Sequence, residues 1–111
     1  MFAFEIPGMR FSLPAGNAVK RHRFVSINST SNGIQATAET QVVGASMNET
    51  KTGEVLEIAD GIVMVEAGAT ITAGAAVYAD ADGKVASSGT VVAGVAVTGG
   101  NSGDIVTVKI N

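Results

Sequence analysis

The sequence predicts an all-β chain, a small β-barrel or β-sandwich with an extended N-terminal arm. Three observations carry that reading. Short runs rich in Val, Ile and Thr are broken by Asn-Gly, Thr-Gly, Asp-Gly and Gly-Gly pairs, the punctuation of turns between strands. No window of useful length carries a 3.6-residue apolar stripe, so helix should be minor. Two long stretches also match each other, which suggests that the fold arose by internal duplication. At 111 residues the chain can bury one core. Residues 1–23 read as the arm and a basic strip, and residues 24–111 as the β domain.

The arm, "MFAFEIPGMRFSLPAG", alternates. Phe2, Phe4 and Ile6 share one side, and after Pro7-Gly8 the phase shifts to Met9, Phe11 and Leu13. Period two with two prolines means an extended arm or an edge strand, because proline cannot donate to a central ladder. The strip Lys20, Arg21, His22 and Arg23 follows and is the one positive cluster. Arginine suits bidentate pairing with carboxylates, so an acidic protein surface is its natural partner. Residues 36–41 read as strand rather than helix on their threonines.

The repeat is clearest when residues 27–58 are laid on 77–108 at a constant offset. Gly33 falls on Gly83, Gly44 on Gly94 and Gly53 on Gly103, with Ile27, Val55 and Ile58 on Val77, Ile105 and Val108. Glycines recurring at turn positions imply that the backbone geometry recurs, since glycine supplies the positive φ that such turns need. The two units are expected to be joined by a hairpin-like segment, "EIADGIVMVEAGATITAG".

Composition excludes several functions. The apolar fraction is 46%, but it consists largely of Ala and Val, and four of the five aromatic residues lie before residue 25. A thin interior built from small aliphatics follows. The net charge of −3 argues against general nucleic-acid binding, which needs clustered cations. Without cysteine there is no disulfide framework, thiolate metal site or cysteine nucleophile. The N-terminus lacks the basic region of a signal peptide, and no apolar run approaches the roughly 18 residues of a membrane helix. The chain reads as soluble and made in the cytoplasm.

Candidate chemistry is sparse. Asp80, Asp82 and Gly83 could open a calcium loop, but the repeat places Thr30 and Asn32 opposite the two aspartates. An EF-hand register puts Tyr78 and Gly89 where its outer carboxylates belong. Asp82-Gly83 therefore reads as a type I′ hairpin turn, with Asn32-Gly33 as its twin. His22 is the only histidine and has no nucleophile elbow to serve, so no catalytic residue, metal or cofactor is expected. "GGNSG" at 99–103 precedes a strand-like run rather than a helix and reads as a hairpin loop. The alternative is a biotinyl- or lipoyl-like carrier or another small β binding module. It would use Lys84, although the flanking signature of such carriers is missing.

The second half carries a resemblance. "GATITAGAAVYADADGKVASSGTVVAGVAVTGGNSGDIVTVKIN" resembles the small capsid cement, or head decoration, proteins of tailed bacteriophages, through Gly68, Gly74, Val77, Tyr78, Asp80, Gly83, Lys84 and Val85, then Gly94, Val95, Ala96, Gly103, Asp104 and Val108. The likeness spans roughly residues 24–111, and the Phe-rich start departs from the pattern. It implies a non-enzymatic structural protein of the virion, bound to the major capsid protein on the outside of the expanded head. It also implies a homo-oligomer, often a trimer, with no nucleic-acid or membrane partner. The contacts expected from the arm are Phe2, Phe4, Ile6, Met9, Phe11 and Leu13, with charge from Arg10, Lys20, Arg21, His22 and Arg23. On that expectation the arm is dispensable to the fold.

Overall fold

The computed structural model describes residues 3–111. Nine strands form a single antiparallel sheet: β1 (Ile6–Pro14), β2 (Phe24–Ile27), β3 (Gly33–Gln35), β4 (Gly44–Ser46), β5 (Val55–Glu66), β6 (Ala76–Ala79), β7 (Val85–Ala86), β8 (Val92–Ala96) and β9 (Ile105–Ile110). The order β3-β2-β4-β5-β9-β8-β6-β7 reads the same way from either end, with β1 added against β5. The sheet curls into a half-barrel, and the described residues contain no helix. The fold class expected from the turn spacing is the one observed.

The palindromic order is a duplication, visible bond by bond. Ala15 donates to the Glu54 carbonyl as Ala67 does to Asp104, and Gly16 donates to Gly33 as Gly68 does to Val85. Val19 and Thr50 exchange two backbone bonds, as do Ile71 and Gly100. The carboxylate of Glu54 accepts from Lys51 N–H, and that of Asp104 accepts from Asn101 N–H. From Gly44 onward equivalent residues lie 50 apart, as the sequence suggested. Before that point they lie 52 apart, because the first unit has two more residues between Gln35 and Gly44 than the second has between their counterparts Ser87 and Gly94.

This corrects the pairing of Gly33 with Gly83. Gly83, at φ +74°, is matched by Ser31 at φ +65°, while Gly33 lies inside β3 opposite Ile27. The loop organiser is an Asx side chain in both units. Asn28 Oδ1 accepts from the N–H groups of Thr30 and Asn32, and Asp80 Oδ1 from those of Asp82 and Lys84. Neither loop is a type I′ turn, which needs positive φ at both central residues. His22, at φ +59°, likewise stands where the second unit has Gly74 at φ +86°.

Two further expectations change. Asp60-Gly61 is not a hairpin: β5 runs straight through it for 12 residues. Gly61 takes φ +101°, and a Cβ there would strike the backbone of Gly8, which is bulged out of β1 between Pro7 and Met9. The phase shift at Pro7-Gly8 is that bulge. Residues 36–41 are not strand either, because Thr40 Oγ1 closes a local turn by accepting from Thr37 N–H and from Ser26 Oγ.

The core has two parts. The larger gathers Phe24, Ala45 and Ala59 of the first unit with Val63, Val65, Val77, Val106 and Val108 of the second. The smaller comprises Ala15, Val19, Val25, Leu56 and Ile58, with Phe11, Leu13 and Val43 packed against it. β1 therefore pairs along β5 of its own chain from Ile6 to Pro14 and supplies Phe11 and Leu13 to this second cluster.

Left-handed backbone costs a residue with a Cβ about 1–2 kcal/mol, partly offset by the extra chain entropy of glycine. Ser31→Gly should therefore raise unfolding stability by about 0.5–1 kcal/mol, whereas Gly61→Ala should lower it by about 2–4 kcal/mol through strain plus backbone overlap. Urea midpoints of the two variants against the parent chain check both.

Candidate functional site

The basic strip is divided by the fold. Its turn is fixed through its backbone groups: the Lys20 N–H donates to the side-chain Oε1 of Gln35, His22 N–H donates to the Ser46 carbonyl at 3.1 Å, and the His22 carbonyl accepts from Glu66 N–H at 2.9 Å. Lys20 and Arg21 are exposed, His22 is half-buried with Nδ1 lacking a hydrogen-bond partner, and Arg23 is buried. Arg23 joins the two units. Its guanidinium donates to Glu66 Oε1 at 3.3 Å and to the Asp82 carbonyl at 3.2 Å. Lys84 Nζ takes the other Glu66 oxygen at 3.3 Å. Beside them Phe24 N–H donates to the Gly83 carbonyl, which ties the start of β2 to the loop before β7.

Arg23 is therefore not a surface charge: it is buried, and its permanent charge is met by Glu66 and the Asp82 carbonyl. Lys84 is half-buried and bound to Glu66, rather than free at a hairpin tip as a carrier lysine must be. Asp80 is committed to its own loop through two backbone N–H groups.

The arm residues separate in the same way. Phe11 and Leu13 turn to the chain's own core, while Ile6 and Met9 are 61% and 63% exposed and Arg10 is exposed. Phe4 is partly exposed, and its N–H and carbonyl both bond to the hydroxyl of buried Thr107. Phe2 lies outside the described residues. Sequence reasoning missed the exposed valine and isoleucine side chains away from the arm, Ile27, Val55, Val92, Val95 and Ile105. Alternation alone could not find them, since a curled sheet buries parts of both faces.

What this surface offers is apolar and cationic contact. The described residues contain no group of three or more His, Asp or Glu placed to hold a metal. The family model described as phage cement protein matches residues 6–110. The chain belongs to the phage cement protein family. Membership carries a capsid-associated structural role and a place in the virion, and the family is not an enzyme class. The match begins at Ile6, so the family pattern includes the strand that the sequence set apart as an arm. A solved structure, the head fiber gp8.5 N base of bacteriophage phi29, has a similar fold, with a TM-score of 0.75 over 93% of each chain at 20% identity. Among curated proteins no match is found.

Burial raises the Glu66 pKa, but the hydrogen bonds and charges of Lys84 and Arg23 outweigh it and hold the carboxyl below its ordinary value. A lowered folded-state pKa stabilises the fold above the unfolded value, and that contribution is lost as pH falls through the folded one. The chain should lose melting temperature below about pH 4.5 more steeply than Glu66→Gln does. At neutral pH, Glu66→Gln should cost about 2–3 kcal/mol, because it leaves the Arg23 charge buried without its counterion. Thermal melts of both chains from pH 7 to pH 3 test the pair.

Proposed function

We propose that this chain binds the outer surface of the expanded phage head as a homotrimer, contacts the major capsid protein and stabilises the shell without catalysing any reaction. The observation that carries the reading is the cement-family match along residues 6–110. The surface supports it: Ile6, Met9 and Arg10 on β1 and Lys20 and Arg21 in the turn are free to meet a partner. Exposed apolar side chains beside fixed cations suit a protein surface carrying carboxylates. Phe4 extends the same contact, and Phe2 is assigned to it from the sequence alone. Phe11, Leu13, His22 and Arg23 serve it by holding β1 and the turn in place.

Because β1 completes the second core cluster, truncating residues 1–14 would strip Phe11 and Leu13 from Leu56 and Ile58. Substitution is the cleaner test. Co-sedimentation with undecorated expanded heads should show saturable binding of the full chain. Combining Met9→Glu with Arg10→Glu should weaken that binding about tenfold or more, with the melting temperature preserved. Absence of binding by the unmodified chain would sink the reading. Equal binding by both chains would move the contact off β1.

A further inference from the structure

Equivalent positions in the two units differ in burial, and the difference points to a missing neighbour. Across the ladder Phe24, Ala45 and Ala59 lie side by side on one face, all buried. Their counterparts in the second unit are Ala76, Val95 and Lys109, joined by the same pairings and exposed. Ile62 and Ile6 extend this second row, since Ile62 pairs with Lys109 on one side and with Ile6 on the other. The first row is covered because it shares a core with Val63, Val65 and Ala93 of the second unit. The first-unit counterparts of those three residues are Phe11, Leu13 and Val43, which are only half-buried. Each chain thus has one unfilled surface of each kind.

We infer that a second copy of this chain fills both: the Ala76–Val95–Ile62–Ile6 row of one copy packs against the Phe11–Leu13–Val43 side of the next, repeating between chains the contact that the two units make within one. The occupant follows from an interface the chain already contains. Inside the chain, Phe24 N–H bonds to the Gly83 carbonyl and Arg23 to that of Asp82. Between chains, the corresponding neighbours are Ala76 with Ser31 and Ala75 with Thr30. Polar locking does not carry over. Ala75 stands for Arg23, and Pro14, which has no N–H, stands for Glu66. Lys109 replaces Ala59, so its stem must lie along the contact with the ammonium at the rim. The copy-to-copy contact is accordingly reversible, unlike the one within a chain, whose two sides are tethered by the backbone. Two different surfaces meet, so the assembly is head-to-tail and closes into a ring when the rotation permits.

The inference rests on the self-association part of the proposed function and is tested without heads, so its failure leaves the capsid reading to be judged by co-sedimentation. Sedimentation velocity should show concentration-dependent oligomers of the full chain. Val95→Glu, or Ala76→Glu at a second exposed site, should leave monomers that melt as the parent does at concentrations where the parent is itself monomeric. The chain lacks cysteine, so mixing Ala75→Cys with Thr30→Cys chains under mild oxidation should give one-to-one disulfide pairs in excess of either self-pair. A full chain that stays monomeric to millimolar concentration would overturn the inference. So would oligomers indifferent to both glutamate variants, or cysteine chains that pair no better together than alone.

Discussion

One strand belongs to both halves of this protein, and the rest of the structure depends on its passing from one to the other without turning. The first half of β5 closes the first unit against β1 and β4, and the second half opens the next unit against β9. Gly61 sits at the crossing in a left-handed conformation, facing the bulge at Gly8. A side chain there would push β1 away, and β1 carries two of the side chains that complete the smaller core. Register is then fixed on both sides, because a one-residue slip would exchange buried and exposed faces along the strand.

Where the units meet, polar and apolar contacts divide the work. Phe24, Ala45 and Ala59 lie in the same core as the valines of the second unit and supply the burial. The Arg23–Glu66–Lys84 cluster adds alignment more than net stability, since a largely buried ion pair roughly repays its own desolvation. Its value is that only one docking of β2 on the second unit satisfies the guanidinium. The same cluster ties up Arg23 and Lys84, which leaves Arg10, Lys20, Arg21, Lys51 and Lys109 as the exposed cations.

Divergence between the units is the clearest functional trace. Loops closed by the same backbone bond, His22 N–H to the Ser46 carbonyl and Gly74 N–H to that of Ala96, carry Lys20-Arg21-His22 in one unit and Thr72-Ala73-Gly74 in the other. The first unit keeps side chains at two left-handed positions where the second has glycine. The cement family is a capsid-associated structural family rather than an enzyme class, and surfaces of this kind are where such a protein meets its neighbours. Unequal surfaces on equal scaffolds allow one chain to present different faces to a shell and to its own copies.

The sequence by itself determined that the chain is all-β, that it is duplicated and that it belongs with the phage cement proteins. Turn punctuation, the absence of a helical stripe and glycines recurring 50 residues apart are local properties that survive without coordinates. It could not set the register of the first half, because Gly33 and Gly83 are alike as letters while Ser31 and Gly83 are alike in backbone angle. Nor could it tell that Asp60-Gly61 runs straight, that Arg23 is buried, or that Phe11 and Leu13 face inward while Ile6 and Met9 do not. Those outcomes depend on which strand lies opposite and on what covers the sheet. Such pairings join residues far apart in the chain, so only the folded structure could decide them.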